Sequence, residues 1–253
     1  MSESVPIAAP AAPTEDTVLD GAVKLRQPAD GFRAAIDSVL LAAAAPVADG
    51  ESVFEPGAGV GAASLCLAHR VQAVQITGIE ADAALVRLAG DNIRLNGRTG
   101  QVEIMTGDVG ATLPPRVAPP FDHCMINPPF LEPARGHAPA DPARAAAHVE
   151  DASGLAPWID CARRVLRHKG TLTVIHRADR LDDVLSAMAP FFGGIVVFPL
   201  WPHEGEPARR VIVRARKGVR TPLTLNAGLV LHRPGGEFTA GADAALRGAA
   251  LEF

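Results

Sequence analysis

Six consecutive residues, Met125-Ile126-Asn127-Pro128-Pro129-Phe130, carry the most legible chemistry of this chain. A proline after Asn127 biases the asparagine toward extended backbone and away from helix. Pro128 and Pro129 have fixed φ and no N–H, so the stretch offers carbonyl acceptors and no donors, and Asn127 adds a side-chain amide oxygen. Two acceptors on a rigid corner suit a planar –NH2 group, which has two hydrogens to place. Phe130 supplies a face on which a flat base can stack. Taken alone, the hexamer is equally a proline turn at a strand end with a buried phenylalanine. The choice rests on what surrounds it.

Phe121–Ile126 reads as a strand that delivers Asn127 at its carboxyl end. Upstream, Ser52–Glu55 reads as a short buried strand running into Pro56-Gly57-Ala58-Gly59-Val60-Gly61 and then a helix from Ala62 to His69. Strand, glycine loop and helix open a nucleotide-binding α/β unit. The glycines let backbone approach a ligand closely, and the helix N-terminus presents free N–H groups. Val74–Glu80 is a second strand, ending in an acid where such folds set a carboxylate against ribose hydroxyls. Asp82 caps a helix that runs to about Asn96, with Gly97 as its stop. Val102–Met105 is a third strand, followed by Thr106-Gly107-Asp108. Ligands of open α/β sheets sit beyond the carboxyl ends of the strands. Glu55, Glu80, Asp108 and Asn127 are therefore expected to converge on one rim.

Gly57, Gly59 and Ala62 also satisfy the dinucleotide pattern GxGxxG/A. Glu55, however, stands just before the glycines, where it would repel a pyrophosphate and attract a cationic amine and a sulfonium. No dehydrogenase-like His or Tyr/Lys pair follows the fourth strand. The loop is expected to hold S-adenosylmethionine.

The remaining segments complete an α/β pattern. Thr17–Gln27 reads as a hairpin around Asp20-Gly21, and Val39–Ala45 as an apolar helix after a turn-rich link. Leu131–Val149 is a long loop directly after the hexamer. Gly154–His168 and Asp179–Met188 read as helices and Thr171–His176 as a strand. Gly194–Leu200 and Val211–Arg216 read as an antiparallel pair, and residues 229–253 offer a short strand and an Ala-rich helix. The 253 residues carry a net charge of −4, which argues against a protein that coats nucleic acid without excluding a local basic patch. No run is long enough to span a bilayer. Met1–Pro13 lacks the form of a signal peptide. The three cysteines, Cys66, Cys124 and Cys161, are too scattered for a disulfide framework or a zinc site and are expected as buried thiols in a reducing cytoplasm. No metal site is expected.

With Glu55-x-Gly57-x-Gly59-x-Gly61, Glu80, Asp108 and Asn127-Pro128-Pro129-Phe130 in this order, the chain resembles class I S-adenosylmethionine-dependent methyltransferases of the small-domain type. Its amino-methylating end resembles enzymes that modify adenine N6, guanine N2 or a glutamine amide. Gln27-Pro28, Gly31-Phe32-Arg33 and Asp37-Ser38-Val39-Leu40-Leu41-Ala42 resemble the entry motif of bacterial tRNA adenine-N6 methyltransferases acting on adenine 37 of a valine tRNA. Asp141 to His148 and Val211 to Gly218 resemble further segments of that family. Pro56, inside the glycine loop, departs from the pattern.

The resemblance implies a Rossmann-like fold: a seven-stranded, mostly parallel sheet with helices on both faces and an antiparallel strand near its C-terminal end. The composition of the first residues and the order of elements suggest an order of parts. Residues 1–16 would be a disordered tail and 17–253 a single methyltransferase domain, with a hairpin and helix lid (17–48), a core (49–217) and a C-terminal extension (218–253). Gly57, Gly59 and Gly61 would pass under the methionine part of the cofactor, Glu55 would hold its amino group, Glu80 its ribose hydroxyls and Asp108 its adenine amine. Asn127, Pro128, Pro129 and Phe130 would form the catalytic corner. By their place in the loop after the hexamer, Arg135, Arg144 and His148 are expected to meet the tRNA substrate, and Arg33 is expected either to border the site or to pair with an acid such as Asp37. The basic run Arg209, Arg210, Arg214, Arg216, Lys217 and Arg220 reads either as phosphate contacts or as the charged face of an edge strand. Alternative acceptors are a protein glutamine amide, rRNA guanine N2 and DNA adenine N6; a non-enzyme alternative is an inactive, cofactor-dependent RNA-binding module.

Overall fold

The computed structural model describes residues 12–29, 36–129 and 154–253. Strands β1 (Thr14–Val18) and β2 (Val23–Gln27) form an antiparallel hairpin, whose turn holds Leu19 and Asp20 at positive φ. The main sheet is built from β3 (Ser52–Pro56), β4 (Gln75–Glu80), β5 (Val102–Thr106), β6 (Phe121–Ile126), β7 (Leu166–Arg177), β8 (Phe192–Trp201) and β9 (Arg210–Lys217). Their order is β8-β9-β7-β6-β3-β4-β5, and β9 is antiparallel to both neighbours. Two two-residue strands, β10 (Thr224–Leu225) and β11 (Leu229–Val230), pair with the outer edge of β8. The sheet is thus the expected seven strands with two short additions at one edge.

Helices α1 (Ile36–Ala44), α2 (Ala62–Arg70), α3 (Ala83–Leu95) and α6 (Ala240–Leu246) cover one face; α4 (Ala156–Val165) and α5 (Leu181–Met188) cover the other. Alternate strand residues feed the two cores. Val53, Ile76, Met125, Ile175 and Ile212 join the first, and Phe54, Ile79, Ile126, Val174 and Val213 the second. Burial on both faces is why these strands read as continuous apolar runs. Helix α1 is apolar almost all round and is buried from Asp37 to Ala44. Its one carboxylate, Asp37, is met by Arg210 Nε on β9 at 2.9 Å.

The largest departures from the sequence expectation lie at the end of α4 and at the far edge of the sheet. The helix expected to reach His168 stops at Val165, and the chain passes straight into β7 at Leu166. Arg167 is held there by Asp122 (Nε–Oδ1 2.6 Å), and the Leu166 carbonyl accepts from Lys217 Nζ at 2.5 Å. Neither contact is local in sequence. The strands β10 and β11 are too short to leave a periodic signal, so only one of them was expected.

The hairpin is fastened by two asparagines one turn apart, Asn92 in α3 and Asn96 at its C-cap. Asn96 Oδ1 accepts from the Lys24 N–H (2.9 Å) and its Nδ2 donates to the Lys24 carbonyl (2.7 Å). Asn92 Oδ1 accepts from the Arg26 N–H (2.6 Å), while Nδ2 donates to the carbonyls of Arg26 and Val60, each at 3.0 Å. The free edge of β2 is therefore paired by side chains in place of a third strand. Asn92 is 0 % exposed, so its loss leaves buried donors and acceptors unmet. Asn92→Ala is expected to lower folding stability by about 3 kcal/mol in urea unfolding, more than the half-buried Asn96→Ala.

Candidate functional site

The glycine loop leaves β3 through Pro56, whose missing N–H ends the ladder there; the next bond to β4 comes from Ala58 N–H to the Ile79 carbonyl at 3.0 Å. Gly57, Gly59 and Gly61 follow at φ of 68°, 54° and 83°, the left-handed region that a Cβ disfavours. The three do different work. A Cβ at Gly57 would stand 2.6 Å from the Trp158 ring, and one at Gly61 would stand 2.9 Å from Ile104 Cδ1. A Cβ at Gly59 would meet nothing within 4 Å. Gly57 and Gly61 thus admit neighbouring side chains, and the loop turns open space outward at Gly59.

Two carboxylates shape the loop from below and beside. Glu55 is 4 % exposed and accepts from the hydroxyl and backbone N–H of Ser64 in the first turn of α2. Burial pushes its carboxyl up to about 7, with Glu80 adding to the rise and the Ser64 bonds opposing it. Glu80, at the end of β4, accepts from the Gly59 N–H and the Asp82 N–H, both at 2.9 Å, one on each oxygen. A carboxylate has about four lone-pair positions, so about two remain on Glu80 for ligand hydroxyls. Asp108 is exposed and closes its own turn by accepting from the Gly110 N–H at 2.8 Å.

Asn127 follows β6 directly. Its Oδ1 is buried and has no hydrogen-bond partner among the described residues, while Pro128 beside it is buried and Pro129 is partly so. A buried acceptor without a donor is costly in a folded protein, and such groups mark positions that a ligand completes. Glu55, Glu80, Asp108 and Asn127 stand at or just past the ends of β3, β4, β5 and β6, which are adjacent and parallel. Three strand spacings put about 14 Å between the outermost of them. Phe130, Arg33, Arg135, Arg144 and His148 lie outside the described residues.

The site has members that sequence reasoning missed. Ser64 and Trp158 reach it from α2 and α4, and a serine or a tryptophan on a buried helix face gives no sequence signal beyond ordinary packing. His176, on β7 beside β6, is buried; burial, with Arg180, Arg177 and Arg210 nearby, pulls its pKa down to about 4. The basic run is largely committed elsewhere: Arg210 to Asp37, Arg214 over the Phe253 ring at 4.1 Å, and Arg216 to the Lys169 carbonyl at 3.3 Å.

The arrangement fits a cation-bearing nucleoside better than a pyrophosphate. Carboxylates stand under and beside the glycines, one of them free to meet hydroxyls, and an unmet acceptor waits at the neighbouring strand. No described helix is long and apolar enough to cross a membrane.

The family model described as "Methyltransferase small domain" matches residues 33–197. A protein of Actinobacillus succinogenes named tRNA1(Val) (adenine(37)-N6)-methyltransferase is 32 % identical over 182 residues, 72 % of this chain and 75 % of the relative. One of the same name from Aeromonas salmonicida is 25 % identical, over 80 % and 84 % of the two chains. Among solved structures, a protein from Agrobacterium tumefaciens described as a predicted O-methyltransferase superposes with a TM-score of 0.70 at 27 % identity, covering 85 % of this chain and 98 % of its own.

Two measurements check the geometry. With its folded pKa raised, the Glu55 contribution to stability is full below the ordinary carboxylate range and is lost as pH rises toward 7. Glu55→Gln is therefore expected to gain stability relative to the natural chain at pH 8 compared with pH 5, read from paired urea curves. Trp158, the sole tryptophan left in Trp201→Phe, is expected to change its emission on addition of S-adenosylmethionine; an unmoved spectrum at saturation would separate it from the cofactor pocket.

Proposed function

Because this chain belongs to the methyltransferase small domain family, we propose that it transfers the methyl group of S-adenosylmethionine to the exocyclic N6 amine of an adenine in tRNA. The single observation that carries the choice of atom is the buried, unmet Oδ1 of Asn127 at the end of β6. The names of the relatives from Actinobacillus succinogenes and Aeromonas salmonicida support tRNA as substrate and adenine 37 as target.

The residues divide the work. The glycine loop and Glu80 hold the ribose and methionine portions of the cofactor, Asp108 its adenine, and the buried Glu55 carboxyl keeps the loop in shape through α2 while favouring positive charge above it. When bound, S-adenosylmethionine supplies an electrophilic sulfonium methyl. The adenine amine is a weak nucleophile because its lone pair is delocalised into the ring. Asn127 Oδ1 and the Pro128 carbonyl accept its two hydrogens, which favours a pyramidal nitrogen with its lone pair directed away from the corner. The two prolines fix both acceptors before the base arrives, so rate comes chiefly from positioning and from electrostatics set in advance. The amine turns strongly acidic on methylation and gives up its proton to solvent, so a strong general base is not required. A hydroxyl brings one hydrogen to two acceptors and would leave one unmet, which favours nitrogen over oxygen as the methylated atom.

Residues 17–253 act as one unit in this reading: the hairpin, α1, α6 and the last residue, Phe253, share a core cluster with the sheet. Three buried free thiols fit a cytoplasmic location.

Labelled methyl transfer to tRNA lacking its own modifications, followed by nucleoside analysis, tests the reading. N6-methyladenosine is the expected product. Asn127→Ala is expected to lower kcat about 100-fold with little change in cofactor affinity, and unaltered turnover would remove Asn127 from the mechanism.

A further inference from the structure

The strand order serves as a ruler along the rim that carries Asn127. Counting outward from β6, the carboxyl end of β7 brings Arg177, the start of antiparallel β9 brings Arg210, the end of β8 brings Trp201, and β11 continues beside it. The basic run that is contiguous in sequence is therefore divided in space. Arg209 and Arg210 lie on the Asn127 rim, whereas Arg216 pairs with Thr171 and Lys217 with Phe192 at the opposite rim, about 20 Å away for six residues of strand. Arg220 stands with that far group, since Thr221 and Val219 pack on Gly194 and Gly193 at the start of β8.

Past β8 and β11, on the near rim, three rings form a row. His203 and His232 lie 5.5 Å apart between centroids, and His232 stacks on Phe238 at 4.7 Å and 27°. The row is built rigidly. The His232 N–H bonds the Pro202 carbonyl at 3.0 Å, the Arg233 N–H bonds the Glu237 carbonyl at 2.7 Å, and Thr239 caps α6 immediately after Phe238. Phe238 nonetheless remains 39 % exposed, at the outer end of an ordered stack. Arg209 and Arg233 are exposed in the adjoining turns. Arg177, Arg180 and Arg210 on the same rim are tied to Asp179, Asp183 and Asp37. Glu204, Glu206 and Glu237 are exposed in those turns as well, so this is no general polyanion patch, and stacking outweighs charge.

Building on the tRNA reading above, we propose that the His203–His232–Phe238 row is a stacking platform for unpaired nucleotides flanking the target adenine, with Arg209 and Arg233 meeting the intervening phosphates. Three to four strand spacings separate the row from Asn127, about 14 to 19 Å, a span that a few nucleotides of unpaired chain bridge. Aromatic platforms suit such segments because every base has a face to stack, and stacking costs least in a loop already free of pairing.

The test uses the full chain and unmodified tRNA transcript. Phe238→Leu and Arg209→Ala are expected to raise the KM for tRNA about tenfold, with kcat at saturation and cofactor affinity unchanged. Phe238→Trp is expected to retain the natural KM, because it keeps a ring where leucine keeps only bulk. Arg220→Ala, on the far rim, serves as the control and is expected to change nothing. If the natural chain methylates tRNA and Phe238→Leu leaves KM unmoved, or Phe238→Trp falls with it, the platform is overturned while the tRNA reading stands. If the natural chain methylates another acceptor and no tRNA, reading and platform fail together.

Discussion

One buried amide holds three parts of this structure in register. Asn92 satisfies the backbone of β2, belongs to α3, and donates to the carbonyl of Val60 inside the glycine loop. Each polar atom of the side chain has a partner, and the Val60 carbonyl among them is buried. Such a fully satisfied network sharpens a structure because a half-satisfied one costs more than none. The hairpin therefore cannot shift without disturbing the loop between Gly59 and Gly61. A two-stranded hairpin is marginal by itself in water, and here it gains order by lending its open edge to a helix.

The electrostatics of the loop follow from this fixed frame. Glu55 is spent on α2 beneath the glycines, so its charge state answers to burial, whereas Glu80 lies partly open with spare acceptor capacity. Two acids of the same type thus differ in setting: one is buried and bound to the backbone and hydroxyl of Ser64, the other keeps acceptor positions open beside the glycines. Trp158 closes the loop from the opposite core. A side chain at Gly57 would enter its ring, so the first glycine is required by a packing neighbour as much as by any ligand.

How much of this was legible in the sequence depends on range. Strands β3 to β6, the glycine loop and the caps around α3 are set by neighbours in the chain, and periodicity and turn residues disclose them. The contacts that refine the site are not local. Asn92 finds Arg26 across 66 residues, and Trp158 finds Gly57 from another helix. The extent of β7 rests on Asp122 and Lys217, which no window around Leu166 contains. The basic run between Arg209 and Arg220 misled for a related reason. Composition makes it one patch, and only the direction of β9 reveals that its two ends face opposite rims.

In the proposed reaction, the sheet order sets where donor and acceptor meet. From β3 the chain builds outward through β4 and β5, then returns to place β6 on the other side of β3 and continues through β7. The reversal is a topological switch point, and open α/β sheets bind their ligands in the crevice at such a point. The glycine loop borders that crevice from one side and Asn127 from the other. Strands β4 and β5 extend the first side with Glu80 and Asp108, which suits a nucleoside lying along their ends. Strands β7, β9 and β8 extend the second side, with Arg177, Arg209 and the ring row at theirs. In the proposed reaction the methyl group has only to cross the seam between the two halves. A macromolecular acceptor can then lie along the second half without passing over the cofactor, and the antiparallel β9 brings its first arginines to that side because it runs against the rest of the sheet.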